Sequence, residues 1–173
     1  MKKACADGVK LLVTPELGLT GYTCGDLFFQ DSLWTAVKAG IKQIVACTAK
    51  FPDITAVVGM PVRMGHKLYN CAAAISAGEV VAMVPKAHLT SAETRWFASG
   101  AELKDHFLQP LELELSNCGC IAIGVDKLLS LGGKVTVGIE ICEDLMVPSP
   151  CSAKLALAGA EVILNPAASH ELA

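Results

Sequence analysis

At 173 residues and 53% hydrophobic, the chain is the size of one domain and can bury a core without metal or disulfide support. Aromatics are 5% and charged residues 18%, so the core has to come from Val, Ile, Leu and Ala, the mixture of a sheet covered by helices. A formal net charge of −3 excludes the basic field that nucleic acid or an anionic membrane surface selects, and no run reaches the roughly 18 apolar residues of a membrane span.

Lys2 and Lys3 open the chain like a secretory n-region, but Asp7 and Lys10 interrupt the next stretch, which has no apolar h-region or cleavage site. The eight cysteines are therefore expected as reduced thiols in the cytoplasm. Cys118 and Cys120 form a C-x-C pair, but no second pair or His stands at zinc-ligand spacing, so no metal site is expected there.

In chain order, VKLLVT at 9–14 is a buried strand that stops at Pro15, and the Gly-, Thr- and Asp-rich segment 15–31 is a structured loop. Leu33, Val37, Ile41, Ile44 and Val45 recur at helical spacing, which predicts a helix from Ser32 to about Lys50 with Asp31 or Ser32 as N-cap. ITAVVG at 54–59, LYNCAAAIS at 68–76 and EVVAMV at 79–84, separated by turns at 64–66 and 77–78, predict an antiparallel meander. CIAIGV at 120–125 and VTVGIEI at 135–141 are further strands, joined through Gly132-Gly133. A helix starting at Ser149-Pro150 and ending near Gly159 precedes a last strand at 160–165. The pattern is one α/β domain.

Three reactive side chains each follow such a strand: Glu16 after KLLVTP, Lys86 after VVAMVP and Cys142 after VTVGIEI. Ligand sites of α/β sheets lie at strand ends, and the prolines before Glu16 and Lys86 turn the chain out of the sheet. A carboxylate can take a thiol's proton, and an ammonium favours the resulting anion. Thiolate attack on an amide builds charge on oxygen, which Lys86 and the backbone amide of Glu143 can stabilise before Glu16 returns the proton to the leaving nitrogen. Each residue also has a plain reading: Cys142 as core, Lys86 as solvated, Glu16 as a loop carboxylate.

PELGLTGY at 15–22, VPKAHL at 84–89 and VGIEICEDLMVP at 137–148 resemble, in order and separation, the three signature regions of the nitrilase or carbon-nitrogen hydrolase superfamily. The resemblance implies an α-β-β-α sandwich of mixed sheets and a catalytic triad of Glu16, Lys86 and Cys142, with Glu143 where the family often carries Glu or Arg. GLTGYTCGDLF, EICEDLMVPSP and LALAGAEVILNPAASHELA are most similar to the glutaminase domain of the glutamine-dependent NAD(+) synthetase branch. That branch implies glutamine hydrolysis to glutamate and ammonia, with ATP and Mg used only by a synthetase domain outside this chain, and no cofactor or metal within it. It also implies a homo-oligomer associating through helices beside the nucleophile strand.

Against the family pattern, the chain begins inside the first helix and stops soon after NPAASHELA, so the domain is expected to be truncated at both ends. KAHLTSAETRWF at 86–97 is also shorter than the family's segment. Within it Glu93 is either the family's auxiliary Glu or a surface carboxylate paired with Arg95. Tyr22 and Phe28 either line the substrate pocket or anchor the loop to the core, and Trp96 and Phe97 are expected to seat the short loop. Asn165-Pro166 reads as a turn. A Cys–His dyad using His88 or His170 is the competing mechanism. A stand-alone amidase or nitrilase acting on another small amide, and an inactive fragment, are the competing functions.

Overall fold

The computed structural model describes residues 1–103, 106–108, 110–115 and 119–169. The elements are α1 (Lys2–Ala6), β1 (Leu11–Val13), α2 (Asp31–Thr48), β2 (Thr55–Met64), β3 (Lys67–Ser76), β4 (Glu79–Pro85), β5 (His106–Leu108), β6 (Ile121–Ile123), β7 (Leu128–Leu131), β8 (Val135–Ile139), α3 (Cys151–Leu157) and β9 (Val162–Leu164). Strands order as β1-β2-β3-β4-β6-β5 in one sheet and β7-β8-β9 in a second. Both sheets are mixed: β1 runs parallel to β2, the β2-β3-β4 meander is antiparallel, and β8 pairs antiparallel with β7 and parallel with β9.

The two-residue period of the strands sorts side chains into layers. Ala56, Val58, Met60 and Val62 of β2, with Cys71, Ala73 and Ile75 of β3, pack with Val37 and Ile41 of α2. The opposite face of the same strands offers Val57, Ala72, Ala74, Ala82 and Val84, which meet Leu129, Val137, Ile139 and Ile141 of the second sheet. On the second sheet's outer side, Gly138 leaves room for Leu155 of α3, whose Cβ would stand 3.0 Å from a methyl there. The layers are therefore helix, sheet, sheet, helix, as the resemblance implies.

Several boundaries differ from the sequence reading. β2 runs on through Pro61 to Met64, because β1 covers only Thr55–Val57 and leaves the outer side of β2 open to a residue without an N–H. The Gly132-Gly133 turn joins β7 to β8, not β6 to β8. Leu128–Leu131 is a separate strand, since the chain leaves the first sheet after Ile123 and crosses to the second. The short strand β5 carried no readable period. α2 lacks the expected cap, beginning after Gln30 with Asp31 in its first turn, whereas α3 follows Pro150 as expected, with no side-chain cap from its own segment. Glu140, buried at the end of β8, instead accepts the Ser152 N–H at 2.7 Å. Cys118 and His170 lie outside the described residues. No described helix is long and apolar enough to cross a membrane.

The loop after β1 is pressed onto β2. Gly59 donates its N–H to Thr14 Oγ1 at 3.1 Å and accepts the Leu19 N–H at 2.9 Å, and a Cβ built on it would fall on Pro15 O and 2.5 Å from Leu17 N. Backbone cannot give way there as a flexible side chain would. Gly59→Ala is expected to lower stability by about 1–3 kcal/mol. It should lower turnover disproportionately, about 100-fold for a 1 Å displacement of the loop bearing Glu16. Denaturant midpoints and kcat measured on the same preparation check this.

Candidate active site

Three strand ends bring the site together. Lys86 follows β4 and shares its parity with Ala82 and Val84, so its side chain faces the second sheet. Asn70 of β3 has the parity of Ala72 and Ala74 and faces the same way, and Lys86 N–H donates to Asn70 O at 2.8 Å. Lys86 is 1% exposed, Glu16 2%, and Glu93 and Asn70 1% each.

Lys86 Nζ donates to Glu16 Oε1 at 2.7 Å and to Glu93 Oε1 and Oε2 at 2.8 and 2.9 Å. Asn70 Nδ2 donates to Glu16 Oε1 at 2.7 Å and Glu93 Oε1 at 3.3 Å. Thr90 N–H donates to Glu93 Oε2 at 2.8 Å. One ammonium thus serves two carboxylates, which places a net negative charge in the core. Glu16 Oε2 has no hydrogen-bond partner among the described residues.

The two carboxylates differ because their donors differ. Burial pushes Glu16 above the ordinary carboxylate value, only partly offset by Lys86, and the Glu93 charge pushes it further. Burial also raises Glu93, but its hydrogen bonds from Lys86 and Thr90 outweigh that and leave it below the ordinary value. Lys86 is opposed by burial, yet the two carboxylates raise it above an ordinary lysine. Lys86 is therefore paired with both carboxylates, of which Glu93 is the more acidic and Glu16 the one that holds a proton more readily.

Cys142 stands on the turn Cys142–Leu145 that leaves β8 after Ile141. Its φ is +44°, and Leu17, beside Glu16, has φ +51°. Left-handed backbone at non-glycine residues costs about 1–3 kcal/mol and persists where surrounding bonds enforce it. Cys142 N–H donates to Pro166 O at 3.1 Å, and Asn165 Nδ2 donates to Cys142 O at 3.3 Å. Cys142 Sγ is 3.8 Å from Ser169 Oγ. Burial and the Glu16 charge push the thiol up, against the opposing effects of Ser169 and Lys86. These effects favour the thiol over the thiolate in the resting site.

Asp144, also 1% exposed, joins the two halves. Its Oδ1 accepts the N–H groups of Ala87 and His88 at 3.0 and 2.7 Å, and its Oδ2 accepts that of Ile141 at 3.0 Å. One carboxylate so ties the segment after Lys86 to the turn of Cys142.

The remaining sequence candidates divide between site, rim and core. Glu93 is in the buried cluster rather than on the surface. Arg95 instead pairs with Asp26 through two 2.8 Å hydrogen bonds, with Trp96 Nε1 donating to the same carboxylate at 2.9 Å. Phe28 and Phe97 are core, in edge contact at 4.9 Å between centroids. Tyr22 packs beside them and is raised by burial and by the Glu93 charge, so it stands at the rim of the cluster. Glu143 is half-buried next to Cys142, with no ion pair among the described residues. A ring nitrogen of His88 lies within 4.8 Å of ligand atoms of Asp144 and Cys151. Sequence reading missed Asn70, Asp144 and Ser169. A lone amide in the apolar run LYNCAAAIS was the one available signal.

A thiol on a strained turn, acted on by a buried carboxylate and a buried ammonium, has the parts of an acyl-transfer site. The chain belongs to the carbon-nitrogen hydrolase family, whose pattern matches residues 1–172. It is 38% identical over 169 residues to the glutamine-dependent NAD(+) synthetase of Mycobacterium tuberculosis, covering 95% of this chain and 24% of that one. Among solved structures it is similar to a glutamine-dependent NAD(+) synthetase from Cytophaga hutchinsonii, with TM-score 0.74, 30% identity, and coverage of 98% of this chain and 26% of that one. It shares its fold with an amidase from Nesterenkonia sp., with TM-score 0.72, 24% identity, and coverage of 95% and 54%. The chain thus spans about a quarter of the length of the synthetases it matches.

Proposed function

We propose that the chain hydrolyses the side-chain amide of glutamine to glutamate and ammonia, as the glutaminase part of a glutamine-dependent NAD(+) synthetase. The observation that carries this reading is the unpartnered, buried Oε2 of Glu16, on a carboxylate whose other oxygen is held by Lys86 and Asn70 and whose charge acts on Cys142. Glu16 takes the Sγ proton as sulfur attacks the amide carbon. Lys86 and the Glu143 N–H stabilise the oxyanion, since the Cys142 N–H is committed to Pro166. Glu16 then passes the proton to the leaving nitrogen, ammonia departs, and a Cys142 thioester remains. Water, deprotonated by Glu16, releases glutamate.

Tyr22 and Glu143, at the rim and beside the nucleophile, are the side chains placed to hold the substrate. The ammonia goes to a synthetase domain, where ATP and Mg would act on deamido-NAD(+). Copies of the chain associate along the turn and helix after the nucleophile, where Met146 and Leu157 are 69% and 90% exposed.

Incubating the purified full chain with glutamine and measuring glutamate and ammonia tests the reading. Turnover of short aliphatic amides with none of glutamine would replace it with the amidase reading. In the same assay Glu93→Gln has a signed expectation. Removing the Glu93 charge lets the Glu16 carboxyl fall, so the acid limb of kcat/KM moves to lower pH. Turnover at neutral pH drops about 10- to 100-fold, because Lys86 loses a partner that positions it.

A further inference from the structure

Behind the nucleophile turn, three chain segments converge with a different kind of ligand on each. His88 comes from the segment after β4, Asp144 from the turn after β8, and Cys151 is the first residue of α3. One donor atom from each lies within 4.8 Å of the other two. None of the three side chains takes a chemical step in the hydrolysis. Asp144 acts there only as a brace, and its Oδ2, with a single N–H donor, keeps a lone pair.

We propose that His88, Asp144 and Cys151 form a divalent-cation site suited to zinc. The donor set decides the metal: one imidazole, one carboxylate and one thiolate are the mixed borderline ligands zinc takes, whereas calcium and magnesium require oxygen. Zinc bonds of about 2.0–2.3 Å would need the half-buried His88 and Cys151 side chains to draw inward by about 1 Å. Asp144 needs no such freedom, because three backbone amides already orient it, as outer-shell partners orient ligands in metal sites.

The surroundings suit a cation as well. A further acid stands behind the site, since Glu140 accepts the N–H of Ser152, the residue after Cys151, at 2.7 Å. A cleft of about 330 Å³, lined in part by His88, Ser149, Cys151 and Lys154, provides an entry path and a fourth coordination position for water. On binding, Cys151 loses its thiol proton to solvent as the sulfur–zinc bond forms, so one proton is released from sulfur per ion. The ion would share Asp144 with the amides of Ala87, His88 and Ile141, and so clamp the Lys86 segment to the Cys142 turn. The site stands independently of the glutamine reading.

The test uses the full chain carrying Cys142→Ala, so that the nucleophile cannot bind metal. Titration with cobalt(II) should give a sulfur-to-cobalt charge-transfer band saturating at one equivalent, and zinc should displace the cobalt and raise Tm. Adding Cys151→Ser or His88→Ala should remove the band and weaken zinc by more than the roughly 10- to 100-fold lost with an outer-shell partner. Cys24→Ser and Cys120→Ser should leave both unchanged. No stoichiometric zinc on the Cys142→Ala parent overturns the proposal whatever the further variants do, and so does binding that survives Cys151→Ser and His88→Ala or disappears with Cys120→Ser.

Discussion

Cys142→Ala is expected to abolish glutamate and ammonia release from glutamine, with kcat reduced by on the order of 10⁴–10⁶-fold, the scale on which nucleophile deletions act. The fold should survive. Alanine tolerates the +44° φ no worse than cysteine, and the hydrogen bonds from Cys142 N–H to Pro166 O and from Asn165 Nδ2 to Cys142 O use main-chain atoms of residue 142 that the substitution retains. Near-native unfolding together with lost turnover is therefore the expected pair of results. A glutamine-like electrophile followed by mass spectrometry should add one label to the parent, at Cys142, and none to the variant. Glutamine turnover that persists in Cys142→Ala would remove the sulfur from the mechanism altogether.

Lys86→Met should be the most damaging single change to stability, at about 3–5 kcal/mol near neutral pH, because it leaves two buried carboxylates without their shared cation. The sign of its pH dependence comes from linkage. In the parent, Glu93 lies below its ordinary 4.5, so its stabilisation is present above that value and is lost as pH falls through its folded pKa. Without the ammonium both carboxyls titrate above 4.5 in the folded state, and the folded protein then holds more protons than the unfolded chain. Stability of the variant should accordingly fall as pH rises past about 4.5. Thermal unfolding from mild acid to pH 8 measures this. A variant with parental stability and an unchanged pH profile would show that the three groups do not depend on one another.

Much of the architecture was legible because its signals are local. The apolar runs ITAVVG and LYNCAAAIS, the Ala77-Gly78 turn and the 3.6-residue spacing of α2 are properties of short windows, and the structure has each of them. The short strands β5 and β7 were not legible, because three or four residues show no period and their pairing is decided by partners distant in the chain. The start of α3 was legible at Pro150, but the acceptor of its Ser152 N–H was not, because Glu140 comes from the end of a strand 12 residues away. In the candidate site, Glu16, Lys86 and Cys142 could be picked out because each follows an apolar strand and stands in a motif resembling one of the family's three signature regions. Whether Glu93 was buried or paired with Arg95 depended on where Asp26 lay, 69 residues from Arg95. Asp144 gave no sign at all, since its partners are main-chain amides, which look alike in every sequence.

The alanine-rich seam between the sheets sets more than packing. Glu16 and Lys86 hang from one sheet and Cys142 from the other, so the gap between the carboxylate and the thiol is a thickness, gauged on one side largely by side chains a single carbon long. Lengthening Ala72 or Ala74 would act as a shim, spreading the layers while the hydrogen bonds within each sheet stayed whole. Because a 1 Å misplacement of reacting groups can slow chemistry by about 100-fold, such a protein would lose its rate while still folding.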